Sequence, residues 1–390
     1  MRREPHQVLF PLGVVLAGIG VLPWILFALG LTEAYRPIFH SVVFRSMFHP
    51  LAEIEGFLTC FASGFLFTVL PRRTATAPPS RWQMAVAVAA PLIIVISAAL
   101  RSWPVGQIAW LVLIGVSTEF SLARLKGRRL PPATIWIALA IVMGALGAVL
   151  AVLGEASGPE RLWLHEVGRA LLTQGLFTAL VLGTAGLLFR TSEPIAEPTG
   201  SRRYWLFAAH AFAAALFFAS FWVDSVRLAF ALRATVTFAV VLSLARAMPR
   251  PDPRDIDLRG MRTAIWMMPL GNVWVALAPA SRRAGMHVVY IACFAMLVLV
   301  LSGQVYGPSN NRPEPRPAVR PWQLGLGAAF LAVALAARIL VEVDPPSFNL
   351  WLGIACAAFV GATLLTLRAF IRRIAGLLPD RDQGRLSPPR

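Results

Sequence analysis

Residues 82–122 read WQMAVAVAAPLIIVISAALRSWPVGQIAWLVLIGVSTEFSL. Two apolar runs, at 82–100 and 104–122, are separated here only by residues 101–104. A helix needs about 20 apolar residues to cross a hydrocarbon core about 30 Å thick, because each residue adds about 1.5 Å. Both runs have about that length, so the stretch predicts two membrane-spanning helices that are joined by a tight hairpin.

Similar apolar runs recur along the whole chain. The candidate spans lie at residues 8–31, 50–70, 82–100, 104–122, 131–153, 165–189, 204–222, 226–247, 262–279, 286–303, 322–342 and 349–370. The ninth is the weakest, because Pro269, Gly271 and Asn272 interrupt it. We therefore expect an all-α, polytopic membrane protein with about twelve transmembrane helices. It would form one domain at residues 1–375, followed by a disordered cytoplasmic tail at 376–390.

The composition supports this class. Apolar residues make up 57% of the chain and charged residues only 14%, whereas a soluble domain has roughly 25% charged residues. The formal net charge is +17, but the basic residues form short clusters between apolar runs. That distribution indicates loops that face a lipid bilayer and argues against a nucleic-acid partner. The three cysteines lie inside apolar runs without C-x-x-C spacing, which argues against a disulfide or zinc framework.

The orientation follows from the distribution of Lys and Arg. With the N-terminus inside, the cytoplasmic segments contain 26 of the 36 basic residues and the outer loops contain 7. Cytoplasmic loops of membrane proteins carry an excess of Lys and Arg, so both termini are predicted to be cytoplasmic. The three remaining arginines, Arg169, Arg233 and Arg338, fall inside spans in the outer half. Clustered polar groups in one half of a bundle usually line a cavity, and Glu342 or Asp344 is a candidate partner for Arg338.

Four of the six histidines fall at the predicted outer membrane edge, namely His40, His49, His165 and His287. The last three begin spans two, six and ten, which are four spans apart and weakly indicate a repeat. A neutral imidazole at such a position can ligate haem iron or copper. The alternative is that these histidines only cap interfacial helix ends.

The other two histidines have simpler interpretations. His6 is assigned to the cytoplasmic tail, and His210 to a hydrogen-bonded core position nearer the cytoplasmic side.

Two spans place further polar residues beside a histidine. Glu53 is four residues after His49, so the two share a helical face, and Gly56 lets a neighbouring helix or a flat ligand approach. Arg169 likewise shares a face with His165. A charge one turn into the membrane is costly unless it is paired. Arg169 therefore either holds a carboxylate, including a haem propionate, or extends to the outer headgroups.

Span two carries a resemblance to a known family. Its matching residues are His49, Glu53, Gly56-Phe57, Gly64-Phe65-Leu66-Phe67-Thr68 and Pro71. This pattern resembles the signature of the NnrS family, in which a His-rich helix entry and a Gly-Phe pair precede a Gly-Phe-Leu-Leu-Thr-like run that closes on Pro. The chain departs from the family at Leu51-Ala52, where members often have a second His followed by Glu. It also departs at Arg72-Arg73, which replaces an Asn-Trp pair.

The resemblance implies a bacterial inner-membrane protein that binds haem, copper or both. The family is associated with denitrification and with resistance to nitric oxide stress. On this hypothesis the metal ligands are His49, His165 and His287, and the cofactor contacts are Arg169, Glu53 and Gly56.

Two other functions stay open. A secondary transporter is consistent with twelve spans and with a broken ninth helix, and a cofactor-free membrane scaffold needs none of the histidines. No P-loop, nucleophile elbow or HExxH motif is present, so no catalytic residue is assigned.

The predicted orientation can be tested with alkaline phosphatase, which is active only outside the cytoplasm. A fusion after Arg373 should be inactive, and a fusion after Arg161 in an outer loop should be active. The reverse result would show that the bundle is inverted in the membrane.

Overall fold

A computed structural model describes residues 4–31, 48–100, 102–128, 130–157, 159–188, 200–247, 256–305 and 321–374. These residues form helices, turns and no strand. The long helices are α1 Pro5–Ala28, α2 Phe48–Thr74, α3 Arg81–Ala99, α4 Trp103–Leu125, α5 Ile135–Ala156, α6 162–188, α7 Gly200–Ala219, α8 Val226–Ala247, α9 Ile256–Leu277, α10 282–305, α11 Pro321–Val343 and α12 Phe348–Ile374. The prediction of an all-α, polytopic membrane protein is confirmed, and each predicted span has its helix.

Eleven of these helices are long and apolar enough to cross a membrane. The exception is α9, which has the length but begins with a more polar turn. The predicted break in this helix is wrong, because α9 runs through Pro269 without interruption. The buried amide of Asn272 donates to the carbonyl oxygen of Met268 at 3.0 Å, so its polar group is satisfied within the helix.

The assignment of His6 to a tail is also wrong. His6 lies in the first turn of α1 and is 2% exposed. Its backbone N–H donates to the Thr68 hydroxyl of α2 at 3.2 Å, and its Nδ1 lies 3.2 Å from the Glu4 carboxylate. Glu4 also pairs with Arg72 at the end of α2. These contacts fix the start of α1 against the end of α2. The predicted tail at 376–390 lies outside the described residues.

Three helices, α2, α6 and α10, form the interior of the bundle. In their most apolar stretches 72%, 61% and 61% of the residues are buried, against 22–50% in the other eight candidate spans. Helix α10 packs against α2. It also reaches α6 through Phe177 and Phe294, whose ring centroids are 6.1 Å apart. The first helix contacts the last, since α1 packs against α12.

Each of these inner helices contains a π-helical segment shortly after its histidine. The segments are Leu51–Leu58, Leu171–Gly175 and Val288–Ala295. A π-helical turn takes one more residue than an α-helical turn, and such segments are frequent at functional sites. The four-span interval between the histidines is therefore matched by a shared local geometry, which strengthens the suggestion of a repeat.

Glycines bring two of the inner helices very close to the helix before them. A Cβ atom on Gly147 of α5 would lie 2.9 Å from the carbonyl oxygen of Gly168 in α6. A Cβ atom on Gly271 of α9 would lie 2.6 Å from the carbonyl oxygen of Gly285 in α10. Small residues permit such backbone contact between membrane helices, and here they hold α6 and α10 in place.

The close contact predicts opposite effects for two Gly→Ala substitutions. Gly271→Ala should destabilise the protein by about 1–3 kcal/mol, because its Cβ must displace the backbone of α10. Gly115→Ala in α4 should be neutral or stabilising, since nothing lies within 4 Å of the added atom and Ala favours the helix. Thermal unfolding in detergent measures both. Equal melting temperatures would contradict the close packing of α9 and α10.

Candidate functional site

The histidines that begin the three inner helices are held in the same way. His49 Nδ1 lies 3.0 Å from the carbonyl oxygen of Gly20, and His165 Nδ1 lies 3.1 Å from that of Ala151. His287 Nδ1 lies 2.7 Å from the carbonyl oxygen of Arg283 in its own helix. A carbonyl oxygen can only accept, so Nδ1 carries the hydrogen in each ring and Nε2 keeps its lone pair. Metal-binding histidines are commonly oriented by such a bond.

Two of these histidines lie in the same part of the bundle. His287 interacts electrostatically with His49, and both interact with Arg338 of α11. Trp24 of α1 lies edge-on to His49 at 6.1 Å between ring centroids, and Tyr290 lies edge-on to His287 at 5.9 Å. The pair is therefore held between α1, α2, α10 and α11.

The third histidine has different neighbours. The His165 ring lies edge-on to Trp103 of α4, at 5.6 Å between ring centroids. The residue also lies close to Gly154 of α5. The described part of the chain contains no group of three or more His, Cys, Asp or Glu residues that could hold a metal. The common depth of the three histidines at the outer face stays a prediction, and the structure pairs only His49 with His287. His40 lies outside the described residues.

Buried polar atoms without hydrogen-bond partners border the pair. Among the described residues they include Glu53 Oε1, Arg338 Nη1 and Glu342 Oε1. Arg338 Nη1 and Glu342 Oε1 are 3.6 Å apart, an ion pair that confirms one predicted partner. Glu53 lies beside Gly20 of α1 and interacts electrostatically with Cys356 of α12. The region therefore combines two imidazoles, a guanidinium and two carboxyl groups. The guanidinium and both carboxyl groups each have an atom that makes no hydrogen bond within the described residues.

The other predicted partner of Arg338 is engaged elsewhere. Asp344 accepts a hydrogen bond from Trp351 Nε1 at 2.9 Å. This bond, together with hydrogen bonds from Ser347, lowers the pKa of the Asp344 carboxyl below its ordinary value. Asp344 thus stabilises the turn between α11 and α12.

Arg169 belongs to a second polar region between α6 and α10. The Tyr290 side chain hydrogen-bonds with Thr173 and interacts electrostatically with Arg169, Arg233 and Arg282. Tyr290 also adjoins His287, so this region borders the histidine pair. Arg169 therefore lies on the α10 side of α6.

Arg233 has a structural environment. It is 5% exposed and donates to Gln174 Oε1 at 2.7 Å, to Ser220 Oγ at 3.0 Å and to the Ser220 carbonyl oxygen at 3.2 Å. Its guanidinium also lies 3.7 Å from the ring centroid of Phe221. Neutral acceptors and an aromatic face therefore stabilise this buried charge and tie α6 to α8 and to the turn before it.

Gly56 is covered by neighbouring helices. A Cβ atom there would lie 3.1 Å from Val95 Cγ2 of α3 and 3.4 Å from Leu16 Cδ1 of α1. The sequence left open whether a neighbouring helix or a flat ligand approaches Gly56. In the structure, helices α1 and α3 lie against it. His210 accepts from Trp136 Nε1 at 3.1 Å, which confirms a hydrogen-bonded histidine.

One buried carboxyl group was missed in the sequence. Glu55 is 1% exposed and accepts from Gln107 Nε2 of α4 at 2.8 Å. Its Oε1 atom and Gln107 Oε1 have no hydrogen-bond partner among the described residues. The available signal was a second acidic residue within the apolar run, two positions after Glu53.

Comparison with known proteins identifies one family. The family model described as NnrS protein matches residues 1–376. No curated protein matches the chain.

The environment of Arg233 predicts a stability effect. Gln174→Leu removes one acceptor of a buried guanidinium and should destabilise the protein by about 1.5–3 kcal/mol, as is typical of hydrogen bonds to charged groups. Thr184→Val on the same helix removes only a bond to the Leu180 carbonyl oxygen at 2.7 Å and should have a much smaller effect. If the Gln174→Leu protein has the same melting temperature as the wild type, Gln174 does not stabilise Arg233.

Proposed function

The chain belongs to the NnrS family, whose model matches residues 1–376, and we propose that it binds haem or copper at the His49–His287 pair. In this proposal the protein acts in nitric oxide metabolism or stress resistance in a bacterial inner membrane. The observation that supports it best is the shared bonding of the imidazoles. Both Nδ1 atoms are bonded to backbone carbonyl oxygens, in an orientation that leaves Nε2 to bind a metal.

The donor set fits haem better than copper. A neutral imidazole is a usual protein ligand of haem iron, and His49 and His287 would be the two residues to hold it. A copper centre usually takes a third protein ligand, and the described residues form no three-ligand cluster. Arg338, with an Nη1 atom that lacks a hydrogen-bond partner in the described chain, is a suitable contact for a carboxylate of the cofactor. Bound haem would supply an iron that binds nitric oxide where one of the two imidazoles is released.

The chain's own residues have distinct roles in this proposal. His49 and His287 hold the metal, and the carbonyl groups of Gly20 and Arg283 fix their tautomers and ring orientations. Arg338 offsets negative charge on the ligand side. Both histidines are half-buried in the bundle, which limits their contact with water and strengthens these electrostatic interactions.

His165 remains a candidate ligand of a separate site. Its Nδ1 bond to Ala151 has the same form as the other two, and Arg169 is one turn further along α6. A haem propionate or another anion held by Arg169 would place that site beside Tyr290.

The transporter alternative has lost its main support. It rested on twelve spans, intramembrane charges and a broken ninth helix, and the last of these is absent because α9 is continuous. A cofactor-free scaffold stays the alternative to the proposal, and the same experiment tests it.

The protein should purify with a Soret band when it is produced with sufficient haem. His49→Ala and His287→Ala should each lower haem retention by at least about tenfold, because each removes a metal ligand rather than an outer contact. His210→Ala serves as the control, since its ring is bonded to Trp136 and should leave the spectrum unchanged.

Metal analysis of the same samples separates haem iron from copper. A wild-type protein without haem or copper would support the scaffold. If the Soret band persists in both variants and disappears in His165→Ala, the haem ligand is His165 of α6 and not the His49–His287 pair.

A further inference from the structure

A small cavity lies within the bundle below the histidine pair. It is bordered by α1, α2, α10, α11 and α12 but is partly open, and its volume is about 20 Å³. Its surface is wholly apolar, and its walls include Phe57, Phe61, Val298, Leu331 and Phe359.

Two threonines also border the cavity but add no polar surface. The Thr363 hydroxyl donates to the Val360 carbonyl oxygen at 2.9 Å, and the Thr366 hydroxyl donates to that of Ala362 at 2.9 Å. Both hydroxyls are thus bonded to their own helix.

The cavity and the histidine pair share the same helices. Phe57 follows His49 by eight residues, and Ala295, which also lines the cavity, follows His287 by eight. Most of this spacing is π-helical, so the cavity lies further along these helices by somewhat less than the roughly 12 Å that eight α-helical residues would span. Leu331 precedes Arg338 by seven residues on α11, which gives a similar distance. The cavity and the site are therefore arranged one after the other along the same helices.

Its size and chemistry restrict what it can hold. A volume of about 20 Å³ exceeds the roughly 10–15 Å³ that one water molecule needs. Water also needs two to four polar partners, and an apolar cavity without them stays dry. A small uncharged apolar molecule needs none. Such molecules dissolve in hydrocarbon, and residues such as Val333 and Leu364 on the outward sides of α11 and α12 are exposed where lipid would lie.

We propose that this cavity binds a single apolar molecule of diatomic size, taken up from the bilayer, and holds it on the path to the His49–His287 site. Binding in the cavity depends only on the features above. The position of the cavity on a path to the metal rests on the proposed function.

Xenon tests the binding directly, because it is apolar, close to the required size and detectable by anomalous scattering. Crystals of the full-length protein pressurised with xenon should show a peak between Phe57, Phe359 and Ala362. Ala362→Leu should abolish the peak by filling the space, whereas Ala357→Leu, an exposed position on the same helix, should not. Leu331→Ala should increase the occupancy by enlarging the cavity.

The outcomes separate the two parts of the proposal. Absence of a wild-type peak, a peak that persists in Ala362→Leu, or an ordered water or acyl chain in the cavity would overturn the binding. If xenon binds but the protein holds no haem or copper, the proposed function fails and the binding stands.

The path is tested with the cofactor-loaded protein. Ala362→Leu should slow recombination of nitric oxide after photolysis while leaving the optical spectrum unchanged, and Ala357→Leu should alter neither. An unchanged recombination rate in Ala362→Leu would remove the cavity from the path.

Discussion

Hydrocarbon offers no hydrogen-bond partner, so each polar group in a membrane-embedded chain must find one within the protein. The backbone meets this requirement through helices, and most buried side chains meet it as well. Asn272 bonds within its own helix, His210 bonds Trp136, and Arg233 uses three acceptors. The exceptions among the described residues include Glu53, Arg338 and Glu342, which border the His49–His287 pair. Part of the unmet hydrogen-bonding capacity therefore lies beside these imidazoles, and the rest lies at Glu55, Gln107, Thr118 and Arg124.

The spans could be predicted from sequence because one physical quantity, the length of an apolar run, determines them. The errors arose where that quantity says nothing. Pro269 interrupts the pattern but does not break α9, since membrane helices tolerate proline when neighbouring helices cover the site. His6 resembles part of a charged tail, but contacts with Glu4 and Thr68 bury it in α1. Both results depend on tertiary contacts that hydropathy does not encode.

The sequence placed the three histidines at the starts of their helices, but it could not show which neighbours their side chains face. Assigning a residue to a helix face assumes about 3.6 residues per turn, and the π-helical segments of α2, α6 and α10 change that count immediately after the histidines. Three histidines that begin their helices in the same way can therefore face different neighbours. His49 and His287 meet beside Arg338, whereas His165 packs against Trp103. The repeat-like arrangement thus supports a pair and a separate third position rather than a three-ligand centre.

The central claim is that backbone carbonyl groups hold these imidazoles with Nε2 available to a metal. Solid-state NMR of the metal-free, ¹⁵N-histidine-labelled protein in lipid tests it directly, because protonated and unprotonated ring nitrogens resonate in separate regions. Resonances assigned by single His→Gln variants should show Nδ1 protonated and Nε2 unprotonated in both His49 and His287. An Nε2–H tautomer in either ring would contradict the account, since its lone pair would then point at a carbonyl oxygen and not at a metal.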